Sequence, residues 1–130
     1  MNNLLMYLTG GGMKGGNLHH LLDGATFVDT VATEPRYRLW SVRDEFPGLQ
    51  AVEGGAVVLG ELYQVTYEIL DRLLAAEPAE LELGVVHLVT GFGSLAMFMR
   101  SEALAAPGLT DISDFGGWRA YRARLDKGDV

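Results

Sequence analysis

The sequence predicts an α+β fold, a small mixed and mostly antiparallel, barrel-like sheet with a few flanking helices, in one domain over residues 1–130. Three observations carry that expectation. Short β-rich apolar runs outnumber helical segments, with about six of the former and three of the latter. Helices are therefore too few to cover every crossover of a parallel sheet. Finally, 130 residues at 48% hydrophobic suffice for one core, and no repeat, low-complexity tract or long linker divides the chain.

Residues 4–9 read as a buried first strand with a sharp stop at Gly10-Gly11-Gly12. Residues 10–16 hold five glycines in seven positions, a loop able to bring bare backbone close to a ligand. Asn17 is a good N-cap for a short helix from Leu18 to Asp23, stopped by Gly24. Thr26–Thr33 and Tyr37–Val42 are β-branched and aromatic, two strands broken at Glu34-Pro35. Pro47-Gly48 and Gly54-Gly55 read as turns. Ala56–Val65 reads as a long strand with a possible bulge at Gly60. Thr66 caps a helix from Tyr67 to about Ala76, which Pro78 keeps from continuing far. Gly84–Thr90 is β-rich, and Gly91-Phe92-Gly93 reads as a hairpin turn into Ser94–Met99. A looser stretch, Ser101–Leu109, opens a C-terminal extension over residues 101–130. Within it Ser113 is read as the cap of a last helix, Phe115–Leu125.

Charge and composition exclude several function classes. With a net charge of −7 and pI near 4.8, the surface repels phosphate backbones, so no nucleic-acid partner is expected. The basic cluster Arg119, Arg122, Arg124 and Lys127 reads as a solvated helix face. The absence of cysteine removes disulfide and thiolate chemistry. The opening apolar run is too short for a signal segment, and no run approaches a membrane span, so a cytoplasmic protein without a membrane partner is expected.

Glu77 is the most informative position. Leu70, Leu73 and Leu74 mark a buried helix face, and i+7 on that face is Glu77, where burial would raise a carboxyl toward the range of a general base. Alternatively the helix ends before Glu77, because a residue preceding proline disfavours α geometry. The glycine loop follows a strand and precedes a helix, which can aim backbone N–H groups at an anion. Its pattern is neither of the two common nucleotide-binding glycine motifs. His20, beside that loop, is a candidate acid–base residue or anion contact as well as an ordinary surface histidine. His19, His20 and His87 lack acidic neighbours at ligand spacing, so no metal is expected. Tyr7, Tyr63 and Trp118 read as core.

Several segments together resemble a known superfamily. These are Leu4-Leu5-Met6-Tyr7-Leu8-Thr9-Gly10 with Asn17 and His19-His20-Leu21-Leu22, then Thr33–Leu39, then Gly60-Glu61-Leu62-Tyr63-Gln64-Val65, and finally Leu70–Glu77. In order and content they resemble the γ-glutamylcyclotransferase-like (AIG2-like) superfamily. Leu74–Ala79 with Leu83-Gly84-Val85-Val86, and Thr90–Phe98, are closest in flavour to one branch, the C-terminal domain of allophanate hydrolase. In that branch the position of Glu77 is apolar.

The resemblance implies the corresponding fold, with Glu77 as the catalytic glutamate. It also implies that Tyr7, Leu8, Thr9 and Gly10, with His20 nearby, receive a small-molecule carboxylate substrate. The implied reaction is cyclisation of a γ-glutamyl amine to 5-oxoproline without a cofactor. The allophanate hydrolase likeness implies instead a small carbamate- or urea-derived acid and an amidase partner. A third reading comes from the sequence itself: a non-catalytic binding or assembly module or homo-oligomer, with Phe115–Leu125 packing on another subunit through Trp118 and Tyr121, three apart on that helix. By default those two side chains cover the domain's own core.

Overall fold

The computed structural model describes residues 4–127. Eight strands and two α-helices follow in chain order: β1 (Leu4–Leu8), β2 (Thr26–Ala32), β3 (Tyr37–Val42), β4 (Phe46–Ala51), β5 (Leu59–Val65), α1 (Tyr67–Ala76), β6 (Leu81–His87), β7 (Gly93–Met99), β8 (Leu109–Asp111) and α2 (Trp118–Asp126). Single 3-10 turns lie at His19–Leu22, Ser101–Ala105 and Ser113–Phe115.

The strands form one mixed sheet in the order β2-β5-β1-β7-β4-β3-β8, with β6 paired to β7, curled into a half-barrel. Most pairs are antiparallel; β7 runs parallel to both β1 and β4. Strand β6 occupies one edge of β7 along its whole length, from Leu81↔Met99 to His87↔Gly93. The other edge is therefore shared: β1 meets it at Leu95 and β4 at Phe98. Between those two contacts β1 leaves the sheet and β4 enters it, and the notch they leave lies over Ala96 and Met97. At the far side the Thr33↔Leu88 bridge joins the ends of β2 and β6, drawing the half-barrel round.

The core fills the concave side. Met6, Tyr7, Tyr37, Leu39, Leu49, Val58, Val65, Leu73, Val86, Leu88 and Ile112 are fully or almost fully buried. A smaller cluster joins Val42, Leu81, Met99 and Ala103. Trp118 and Tyr121 lie in the main core, so the apolar side of α2 packs on this domain itself.

Several elements differ from the sequence expectation. Pro47-Gly48 is not a turn but part of β4, paired with Ser41 and Trp40. Proline is tolerated there at the start of the strand. Gly48 is required by proximity, because a Cβ would come within 2.7 Å of Leu81 Cδ2. The actual turn is at Arg43 and Asp44, both at positive φ (52° and 59°), with Asp44 fixed by a hydrogen bond from Ser41 Oγ (2.8 Å). The strand expected from Ala56 begins only at Leu59, and the register irregularity falls in β2 between Phe27 and Asp29, not at Gly60. Gly60 instead allows a backbone crossing, with a Cβ there only 2.6 Å from Leu8 O. The helix expected at Leu18–Asp23 is one 3-10 turn without a side-chain cap. The last helix starts at Trp118 after Gly117; Ser113 spends its hydroxyl on Leu39 N–H and Asp111.

Candidate functional site

Helix α1 sets the first wall. Thr66 caps it, its Oγ1 accepting from Ile69 N (3.2 Å), and Ile69, Leu70 and Leu73 are its buried residues, while Leu74 is exposed. The helix stops at Ala76. Glu77 is its C-cap, with extended φ/ψ of −75° and 143°, the geometry Pro78 demands of the residue before it. Glu77 therefore does not occupy the i+7 position of a helix face. It is carried inward because the chain turns at Pro78 and runs back toward β6.

The notch beside β7 is a cavity of about 290 Å³. Glu77, Ala76 and Pro78 form one side of it. Leu8, Thr9 and Gly10–Gly12, where β1 runs out into the glycine loop, form a second; Glu45, Phe46 and Pro47 at the start of β4 form a third. Ala96 and Met97 lie on the β7 side, and Asn17 and Leu18 complete the mouth. The glycine loop and β4 touch closely, for a Cβ on Gly10 would stand 2.7 Å from Pro47 Cδ.

Within this space Glu77 is half-buried, and among the described residues no side chain is bonded to its carboxyl. Burial alone pushes it from its ordinary 4.5 up to about 7. Among the described residues no Lys, Arg or His lines the cavity, and Glu45, at the exposed rim and 3.2 Å from Arg43, is the only other carboxylate on the lining. An incoming carboxylate therefore finds no cationic partner, only neutral donors: the loop's backbone N–H groups and the Asn17 side-chain amide at the mouth. Gly10 O and Gly11 O are engaged by Met13 N (3.1 Å) and Leu18 N (2.9 Å), whereas the N–H groups of Gly10, Gly11 and Gly12 have no acceptor among the described residues.

The sequence-derived candidates are thus divided. Glu77, Tyr7, Leu8, Thr9 and Gly10 line one cavity. The Tyr7 hydroxyl is turned away, donating to Val58 O (2.7 Å), and Thr9 Oγ1 donates to Leu59 O (2.9 Å), so both present body and backbone rather than free hydroxyls. His20 is exposed and outside the lining; its neighbour His19 faces the loop through Nδ1, 3.0 Å from Gly12 O. In the basic cluster Arg119, Arg124 and Lys127 are exposed, as on a solvated face, and Arg122 is half-buried, yet three of the four also hold neighbouring groups. Arg119 bonds Glu61 and Lys14, Arg122 bonds Asp44 O, and Arg124 stacks on Phe115. Glu45, Phe46, Pro47, Ala96 and Met97 were not signalled by sequence; only Pro47 stood out, and as a turn.

Residues 4–123 match the allophanate hydrolase C-terminal domain family. The chain belongs to that family. A urea amidolyase from Saccharomyces cerevisiae is 29% identical over 133 residues, which span 96% of this chain but 7% of that much longer protein. A uropathogenic Escherichia coli-specific protein of known structure superposes with TM-score 0.87 at 32% identity, over 95% of this chain and 98% of its own. Kluyveromyces lactis allophanate hydrolase gives TM-score 0.88 at 26% identity, over 96% of this chain and 22% of its own. A mouse AIG2-like protein, at 19% identity and TM-score 0.64 over 83% of this chain and 86% of its own, shares the fold. This member of the allophanate hydrolase C-terminal domain family thus has the γ-glutamylcyclotransferase-like fold. Among its described residues no helix is long and apolar enough to cross a membrane, and no three His, Cys, Asp or Glu side chains cluster as metal ligands.

Proposed function

We infer that this chain carries out acid–base chemistry on a small amide that bears a carboxylate, with Glu77 moving the proton. The observation that supports this most is the unpaired Glu77 carboxyl, lifted to about 7 in a small cavity beside the unpaired glycine amides. A group half ionised near neutrality both takes and returns a proton. Backbone amides without acceptors suit a carboxylate or a developing oxyanion. Glu77 takes a proton from the attacking nucleophile and delivers it to the departing nitrogen; Gly10–Gly12 hold the negative oxygens.

Family membership favours a urea-derived acid as substrate, since the relatives are an allophanate hydrolase and a urea amidolyase. A second reading, cyclisation of a γ-glutamyl amine, is favoured by Glu77 itself, which stands where the resembled cyclotransferases carry their catalytic glutamate. In that reaction the substrate's α-amine attacks its own γ-carbonyl, the ring C–N bond forms and the amide C–N bond breaks. The α-ammonium gives up two protons. Glu77 passes one to the departing nitrogen as the C–N bond breaks, the other ends on the released amine, which leaves as its ammonium ion, and 5-oxoproline remains. Both partners are in one molecule, so positioning supplies much of the rate.

The test is a pair of substrate panels, urea-derived acids assayed for ammonia release and γ-glutamyl amines assayed for 5-oxoproline, with wild type beside Glu77→Gln. Turnover on one panel, reduced about a hundredfold or more in the variant, is the expected result. Which panel responds decides between the two substrates. Undiminished turnover by Glu77→Gln, or silence on both panels from folded protein, would sink the reading.

A further inference from the structure

Helix α2 contributes no residue to the lining of the Glu77 cavity, yet it is bonded to two of its walls. Toward the glycine loop, Arg119 Nη2 donates to Lys14 O (2.5 Å) and to Glu61 Oε2 (3.0 Å). Glu61, on β5, is only 3% exposed; its Oε1 accepts from Lys14 N (2.9 Å) and from the Tyr63 hydroxyl (2.8 Å). One buried carboxylate thus holds the loop from beneath by the Lys14 amide, while the helix holds the same residue from above by its carbonyl. Toward β4, the Tyr121 hydroxyl donates to Asp44 Oδ1 (2.5 Å) and Arg122 Nη1 to Asp44 O (2.6 Å), one residue before Glu45 at the cavity rim. The two tethered walls meet where Gly10 lies against Pro47.

Arg119 and Asp44 are themselves exposed, but the Glu61 end of this set is a buried carboxylate. Burial alone would raise the Glu61 carboxyl, but the Lys14 amide, the Tyr63 hydroxyl and Arg119 outweigh it and hold the group below its usual range. Asp44 is likewise held low, first by the Tyr121 hydroxyl and then by Ser41. A fixed, buried anion of this kind locks whatever donates to it, and here the donors belong to three separate segments.

We propose that Glu61, Arg119 and Tyr121 are positioning residues of the Glu77 cavity, through which helix α2 acts as a clasp that fixes the glycine loop and the start of β4 against each other. The proposal rests on the reading of that cavity as the reacting site. A loosened clasp admits water beside Glu77. Among the described residues the lining offers no compensating cation: the other titratable groups there are Glu45 at the rim, paired with Arg43, and Tyr7, whose hydroxyl points to Val58.

The experiment uses amide hydrogen exchange in the full chain. Met13 N and Leu18 N, bonded to Gly10 O and Gly11 O, report on the loop; Glu45 N, bonded to Val42 O, reports on the β3–β4 turn; Leu70 N, bonded to Thr66 O, reports on the distant α1. The double variant Glu61→Gln with Arg119→Met removes both partners together, which spares the fold an orphaned charge. It is expected to speed exchange at Met13 and Leu18 about tenfold without moving Leu70. Tyr121→Phe is expected to act on Glu45 alone. In the double variant the Glu77 carboxyl, followed by ¹³C NMR, should also titrate lower by about one pH unit or more. Arg119→Lys, which keeps a donor able to serve both oxygens, should retain wild-type exchange. Unchanged exchange at the loop and turn, or an equal rise at Leu70, would overturn the clasp. Silent substrate panels would count against the enzyme reading and leave the exchange result standing.

Discussion

Replacing Glu77 by glutamine should make the protein more stable while removing its proton carrier, and by an amount that depends on pH in a defined way. The folded carboxyl titrates at about 7 instead of its ordinary 4.5 because burial disfavours the charge. Below 4.5 the group is protonated whether the chain is folded or not, so it costs nothing. Between 4.5 and 7 the unfolded chain ionises while the folded one does not, and stability falls as pH rises. Above 7 the full cost is present, about 3 kcal/mol at about 1.36 kcal/mol per pH unit. Glutamine has no charge to bury, so the variant escapes this penalty. Urea unfolding of both proteins at several pH values isolates the effect, since every other titrating group is common to them. The stability of Glu77→Gln relative to wild type should be flat below pH 4.5, climb as pH rises, and level off above 7 about 3 kcal/mol higher than at its acid end. A difference that does not change with pH would refute the argument, because it would mean that the carboxyl is solvated.

Four further outcomes follow from the same geometry. Turnover, once a substrate is in hand, should rise with pH through a midpoint near 7 as Glu77 ionises, and a midpoint near 4.5 in a pH–rate profile would contradict the site. Gly10→Ala drives a Cβ to 2.7 Å from Pro47 Cδ, so it should cost about 1–3 kcal/mol in urea unfolding and impair turnover more than a loop substitution elsewhere. Thr66→Ala deletes the oxygen that accepts from Ile69 N and should cost about 1 kcal/mol in thermal unfolding. Glu61→Gln should lower stability by about 1–3 kcal/mol at neutral pH. Because the Glu61 carboxyl is held below 4.5 in the fold, its contribution is present above 4.5 and lost as pH falls through the folded value, so the gap to wild type should narrow in acid.

Helix α1 and strand β3 could be read directly from sequence, since a capping threonine, a breaking proline and a run of β-branched and aromatic residues are local signals. The cavity could be read only in part. Glu77 was singled out by a periodicity that the helix does not extend to; proline, not helix phase, puts it in place. Pro47 and Gly48 carry the composition of a turn but serve proximity, with Gly48 packed against Leu81 and Met99. The turn that does occur, at Arg43 and Asp44, has neither glycine nor asparagine to announce it. Ala96 is silent in sequence because its importance lies in being small where β1 and β4 part. The bond that the exposed Arg119 makes to Glu61 is hidden for a similar reason: that partner lies 58 residues away, on a strand whose pairing no local pattern fixes.

The bond from Arg119 to Lys14 O closes a loop of 105 residues, and the one from Tyr121 to Asp44 a loop of 77. Contacts of such sequence separation require nearly the whole chain to be ordered before they return anything, and they form late and slowly. During folding the sheet can therefore be assembled while the two sides of the notch are still free to move. A chain emerging from synthesis would hold every residue that lines the cavity well before it held the helix that steadies it. Refolding watched at Glu77 should accordingly lag behind refolding watched at the strands.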